Sequence, residues 1–180
     1  MSSPLESVLF PRDRIAARVG EMAEAIAAMC RKERIDELTV VAVADGAIVF
    51  AADLMRALPL PVRFATVRVS AYGAGTTPGE RAEILGPVPA LRGDHVLIVE
   101  DILDSGLTLN TLRVRLRDGG PASLRSAVLL DKPSGRRTPF TPDFTGFFCP
   151  DAFVVGYGMD AAGRYRNLPD IGILRPELRP

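Results

Sequence analysis

Ile15, Val19, Met22, Ile26 and Met29 recur at spacings of 4, 3, 4 and 3, one stripe of a 3.6-residue period. The pattern predicts a helix over about 12–33, with Pro11 near its start. LTVVAV (38–43) is a short β-branched run of the kind buried on both faces of a sheet. GAIVFAADLMRALP (46–59) then reads as a helix stopped by its proline. VRFATVRVSAY (62–72) alternates as a strand does, and GAGTTPGE (73–80), with three glycines, two threonines and a proline, predicts a mobile loop. A strand at 96–100 leads into LTLNTLRVRLRDGG (107–120), a helix with Leu107, Thr111, Val114 and Leu116 on one side and Gly119-Gly120 at its end. SLRSAVLLDKP (123–133) is one more strand entering a loop. The tail, 144–180, carries a candidate strand at 153–157 and is then punctuated by prolines. Short apolar strands alternating with helices predict an α/β domain, a mostly parallel twisted sheet flanked by helices.

The 180 residues, 47% hydrophobic, suit one domain spanning 1–180 with no internal repeat. Twenty-two basic residues balance 22 acidic ones, so no overall field draws the chain to nucleic acid or an anionic membrane. Any anion must be held by a local arrangement. Cys30 and Cys149 lie too far apart in sequence for a CxxC pair, and His95 is the single histidine, which argues against a zinc site. No run approaches 18 apolar residues, and reduced thiols fit a soluble, cytoplasmic protein. Only Lys32 and Lys132 stand against twenty arginines.

The densest chemistry lies in VLIVEDILDSGLTL (96–109). In open parallel sheets the ligand crevice lies beyond the carboxyl ends of the strands, where Glu100 and Asp101 emerge. Successive strand side chains face opposite ways, so these two share a pocket only if the strand is already turning. Asp104-Ser105-Gly106 supplies a tight turn, and the helix that follows offers unpaired N–H groups and the positive end of its dipole to a phosphate. Ser105 and Thr108 add hydroxyl donors. A sugar phosphate reconciles this anion cradle with three carboxylates: its phosphate takes the helix end, its hydroxyls donate to the acids, and a divalent cation bridges the rest. Read in isolation, the same Asp-Ser-Gly is a helix cap among solvated acids.

The stretch closely resembles the phosphoribosyl-diphosphate (PRPP) signature of the type I phosphoribosyltransferases, in their hypoxanthine(-guanine) branch. VRVSAYGAGT, GPASLRSAVLLDKP and PDAFVVGYGMDAAGRYRNLP extend the likeness over about 38–174. The resemblance implies a Rossmann-like core with a small hood from the terminal segments. It also implies transfer of a 5-phosphoribosyl group from PRPP to N9 of hypoxanthine or guanine, with Mg²⁺ as cofactor and a homodimer or homotetramer as the assembly. By position, Glu100 and Asp101 would hold the ribose hydroxyls directly or through Mg²⁺, and Asp104 would be the general base near purine N7. Ser105, Gly106, Leu107 and Thr108 would wrap the 5′-phosphate. Lys132 would read the 6-oxo group of a 6-oxopurine, Phe153 would stack on the base, and Val154 would meet its edge. Asp160 would help bind metal or purine edge, and Arg166 would contact pyrophosphate. The segment 73–80 would close as a lid over the site.

Two departures fall on the pyrophosphate side. The family's first-strand loop usually reads Leu-Lys-Gly with a cis peptide before its middle residue; this chain has Ala44-Asp45-Gly46. Two unit charges about 5 Å apart at an effective dielectric near 20 repel by about 3 kcal/mol, so Asp45 must point away from pyrophosphate or help hold a metal. The lid's usual Ser-Tyr is Ala71-Tyr72. These positions leave open a second expectation, a non-catalytic purine-nucleotide-binding regulator on the same fold.

Overall fold

A computed structural model of the chain describes residues 3–72 and 81–180, without the side chains of Ala71, Tyr72 and Arg81. The lid expected at 73–80 therefore lies outside the described residues, as do any contacts of Ala71 and Tyr72 side chains. In chain order the elements are β1 (Leu5–Phe10), α1 (Arg12–Glu33), β2 (Leu38–Ala44), α2 (Ile48–Ala57), β3 (Val62–Tyr72), β4 (Arg81–Leu85), β5 (His95–Leu103), α3 (Leu107–Arg117), β6 (Ser123–Asp131), β7 (Phe144–Phe148), β8 (Val154–Val155) and β9 (Ile171–Leu174). Six strands form one sheet in the order β4-β3-β2-β5-β6-β7, parallel except for the antiparallel edge strand β4. β1, β9 and β8 form a separate antiparallel hood from the two terminal segments.

The hydrophobic period of α1 is realised as predicted: Ile15, Val19, Met22 and Ile26 are buried, with Ala23, Ala27 and Cys30 widening the stripe. Together with α2 it covers one face of the sheet over Leu38, Val40, Ala42, Leu97 and Val99. α3 covers the other face, over Val41, Val43, Val96 and Ile98. β2 is buried along nearly its whole length, as its unbroken apolar run predicts.

The buried side of α3 differs from the one read off the sequence. Leu109, Leu112 and Leu116 are buried, whereas Val114 is 61% exposed and Leu107 and Thr111 are half-buried. The helix begins so close to the elbow at Gly106 that the incoming chain sets its rotation, and the leucines at i, i+3 and i+7 take the core. Leu112→Ala therefore lowers unfolding free energy by about 2–5 kcal/mol in a denaturant titration and Val114→Ala by under about 0.5 kcal/mol. Equal effects would contradict this rotation. The candidate strand 153–157 also contracts to two residues, because Gly156 and Tyr157 take left-handed φ values of 100° and 50°.

Candidate active site

β5 runs on to Leu103, three residues past the predicted end. Leu97, Val99 and Ile102 pack into one core layer, while Val96, Ile98 and Leu103 pack into the other. The two-residue alternation thus slips by one between Val99 and Ile102, and Glu100 and Asp101 sit at the slip. Both carboxylates consequently line the same cavity of about 220 Å³, with Asp104, Ser105, Gly106 and Thr108. The turning strand required by two adjacent acids is present.

Gly106, at φ 82°, caps α3, and Ser105 Oγ accepts a hydrogen bond from the Leu107 N–H at 3.3 Å. The Gly106 carbonyl accepts the first helical bond from Asn110, so the first turn of α3 opens into the cavity at Thr108. Behind the elbow, the Ser105 carbonyl accepts N–H bonds from Arg137 and Thr138 at 3.0 and 2.9 Å. Arg136 reinforces this backing: its guanidinium donates to the carbonyls of Leu103 and Phe140 and pairs with Asp131. Nothing local in GRRT (135–138) marks this role, since it depends on the carbonyls of Leu103 and Ser105, far upstream in the chain.

Asp104 projects from the elbow toward the end of β6. Its Oδ2 lies 3.7 Å from Lys132 Nζ, which is also 3.3 Å from Asp151. Its Oδ1 is buried with no hydrogen-bond partner, pressed against Gly135, where an added Cβ would overlap it. Lys132 sits at the end of β6, held by its N–H to the Leu103 carbonyl at 2.9 Å. Phe153, 38% exposed, and the buried Val154 lead into the hood, with the Phe153 carbonyl accepting from Leu174.

On the far side of Asp101, the Ala44–Asp45 peptide is cis. Gly46 lies so close to the Asp101 carboxylate that a Cβ there would overlap Oδ2, and its carbonyl lies equally close to Gly158. Arg166 donates to the Gly158 carbonyl at 2.6 Å and pairs with Asp160 at 2.8 Å. Asp160's other oxygen accepts from the Gly163 N–H at 2.7 Å. Both oxygens of Asp160 are thus engaged, and among the described residues no three acids, cysteines or histidines cluster closely enough to hold a metal. Glu100 and Asp101 thus share one cavity, while Asp160, expected to help bind metal or purine edge, is turned to Arg166 and the Gly163 N–H. Asp45 is 46% exposed and pairs with Arg68 of β3 at 2.9 Å, a partner that the sequence reading did not name.

Burial dominates the electrostatics of the paired acids. It lifts Glu100 well above the ordinary carboxylate range, with Asp101 adding to the rise and Arg136 opposing it. It lifts Asp101 to about 6; the N–H groups of Asp101 and Ile102 and the Arg166 charge pull the other way, and Asp160 adds to the rise. A folded pKa above the unfolded value of 3.8 means that the folded state holds the proton more tightly. The stabilisation is complete below pH about 3.8 and disappears as pH rises through about 6. Between pH 5 and 7.5 the unliganded protein accordingly loses about 1 kcal/mol more unfolding free energy than Asp101→Asn does. Identical slopes in urea titrations would refute the shift.

The chain matches the phosphoribosyl transferase domain family over residues 12–162. It is 42% identical over 166 residues to a hypoxanthine phosphoribosyltransferase of Haemophilus influenzae, covering 92% of this chain and 93% of that one. It is 40% identical over 178 residues to a hypoxanthine-guanine phosphoribosyltransferase of Bacillus subtilis, covering 98% and 97%. A solved hypoxanthine phosphoribosyltransferase of Trypanosoma cruzi, in complex with the product IMP, superimposes with a TM-score of 0.88 at 40% identity, covering 99% and 98%.

Proposed function

The chain belongs to the phosphoribosyltransferase family, in its hypoxanthine(-guanine) branch, and from that premise we propose how its residues carry out purine salvage. The reaction transfers the 5-phosphoribosyl group of PRPP to N9 of hypoxanthine or guanine, giving IMP or GMP and pyrophosphate. The observation that carries the residue assignment is that the elbow and Asp104 line one cavity while Lys132 Nζ lies 3.7 Å from Asp104. The 5′-phosphate takes the opening turn of α3, where Ser105, Gly106, Leu107 and Thr108 present N–H and hydroxyl donors. Glu100 and Asp101 accept the ribose hydroxyls. As the bond at the anomeric carbon breaks, positive charge develops on the ribose ring, and these buried acids stabilise it in a site of low dielectric.

The purine lies across the cavity mouth toward β8. Lys132 gives its 6-oxo oxygen a charge-assisted hydrogen bond that a 6-amino purine cannot match. Phe153 stacks on the base, Val154 meets its edge through backbone groups, and Asp104 accepts the ring proton released as N9 bonds to carbon.

Mg²⁺ suits this donor set. Glu100 and Asp101 are hard oxygen ligands that line one cavity, and two carboxylates plus substrate oxygens are how this ion is commonly held. When bound it neutralises charge on the departing pyrophosphate. Asp160, with both oxygens taken, contributes by holding Arg166 toward the pyrophosphate side, where its partner Gly158 abuts Gly46; Ala71 and Tyr72 complete that side. The pairing of Asp45 with Arg68 removes the unopposed negative charge that favoured a non-catalytic regulator. We place the enzyme in the cytoplasm, working on small molecules as a dimer or tetramer; no described helix is long and apolar enough to cross a membrane.

The test is direct. Incubated with PRPP and Mg²⁺, the protein forms nucleotide from hypoxanthine or guanine and at least 100-fold more slowly from adenine. Absence of product with hypoxanthine, guanine and xanthine alike would overturn the reading.

A further inference from the structure

We infer that Arg68 joins Arg166 as a cation with which this chain binds the pyrophosphate of PRPP, standing in for the loop lysine that Asp45 has displaced, and that Asp45 is its holder. The inference deepens the proposed phosphoribosyl transfer and rests on it.

Three observations carry it. The first is register: β2 and β3 pair in parallel with Ala44 opposite Arg68, so the sheet itself fixes Arg68 beside the residue that opens the Ala44-Asp45-Gly46 loop. That loop in turn abuts the Asp101 carboxylate on one side and Gly158, the carbonyl of which binds Arg166, on the other. Arg68, paired with Asp45, and Arg166, bonded to the Gly158 carbonyl beside Gly46, therefore both stand next to this loop.

The second is how lightly Arg68 is held. Arg166 is engaged by both the Gly158 carbonyl and Asp160 and is 34% exposed. Arg68 makes a hydrogen bond to Asp45 at 2.9 Å with its side chain 62% exposed. Exposed ion pairs of this kind exchange partners at little cost. A guanidinium has five N–H donors in a planar fork that matches phosphate oxygens two at a time. A diphosphate arriving at the loop can share the fork with Asp45 or take it over.

The third is charge balance. Without Arg68, Asp45 would face the leaving group as a bare carboxylate at the site where catalysis needs positive charge. With Arg68 bound to it, the loop carries no net charge when empty and offers a cation once the pair opens. The arrangement relocates the positive charge from the loop to the neighbouring strand.

The experiment compares the full-length wild type with Arg68→Gln, Arg68→Lys, Asp45→Asn and the double variant Asp45→Lys/Arg68→Gln. Measured are KM for PRPP, KM for hypoxanthine, the inhibition constant of magnesium pyrophosphate, and the dissociation constants of pyrophosphate and IMP by calorimetric titration. Arg68→Gln raises the PRPP and pyrophosphate constants at least tenfold and leaves the IMP constant within twofold, because IMP carries no pyrophosphate. Arg68→Lys recovers part of the loss, Asp45→Asn tightens pyrophosphate several-fold by releasing the fork, and the double variant returns pyrophosphate binding to within about threefold of wild type. Unchanged pyrophosphate constants in Arg68→Gln would overturn the inference, as would an equal loss of IMP affinity, which marks Arg68 as a mere brace of the fold. A wild type that forms no nucleotide from any 6-oxopurine refutes the transfer reaction instead, and the direct pyrophosphate titrations then still decide the role of Arg68.

Discussion

Asp104→Asn lowers the turnover number with hypoxanthine by roughly two to four orders of magnitude, while KM for PRPP changes by no more than about threefold. The expectation follows from where the carboxylate is held. One oxygen is buried against Gly135 with no donor to satisfy it, and the other lies 3.7 Å from the Lys132 ammonium. An amide in that place keeps the shape and the hydrogen-bonding length but cannot take a proton. Lys132 retains Asp151 at 3.3 Å, so the cation proposed to read the 6-oxo group stays in position and the purine KM moves little. The phosphate elbow is untouched because the substitution alters no backbone group. Steady-state kinetics with both substrates varied decide the matter, and a turnover number close to wild type would strip Asp104 of its role as base.

Gly135→Ala has an effect of comparable size through a different route. The new methyl group would occupy the space of Asp104 Oδ1 and crowd its Cγ, so the carboxylate must swing away from the purine. A displacement near 1 Å of a reacting group costs about a hundredfold in rate, and we expect turnover to fall by at least that factor. Gly135 closes a short 3₁₀ turn of three residues, Pro133–Gly135, outside both core layers. The thermal midpoint should therefore stay within about 2 °C of wild type, and the exposed neighbour Ser134→Ala should leave turnover within about twofold. Full activity in Gly135→Ala would mean that Asp104 is not positioned at this contact.

These two experiments probe a site of which one half was written locally in the chain. The elbow from Val96 to Leu109 could be read directly, because strand, turn, glycine and helix cap follow one another without interruption and their chemistry needs no distant partner. The same holds for α1 and β2, the apolar patterns of which are long enough to set both type and limits. The strands missed in the sequence are those whose identity depends on what they pair with: β1 and β9 on each other, β4 on β3 and β7 on β6. The rotation of α3 was misread because its apolar residues offer two stripes and the elbow chooses between them. Gly135, Arg136 and Arg68 escaped notice for one shared reason. Each acts on a residue brought near by the sheet, and no local spacing announces a contact of that kind. Asp45 could be seen as an anomaly from sequence alone, but its resolution needed the β2–β3 register.

The hood has a bearing on the order in which these parts come together. The phosphate grip spans a handful of consecutive residues and closes almost no loop. The purine platform proposed for β8 depends on β9, which is completed by β1, so that Leu5 must find Leu174. That is among the most distant encounters in the chain, and entropy makes such encounters late ones. During refolding, affinity for phosphate should precede discrimination between bases, and a chain arrested at that stage would hold a ribose phosphate while remaining indifferent to the purine beside it.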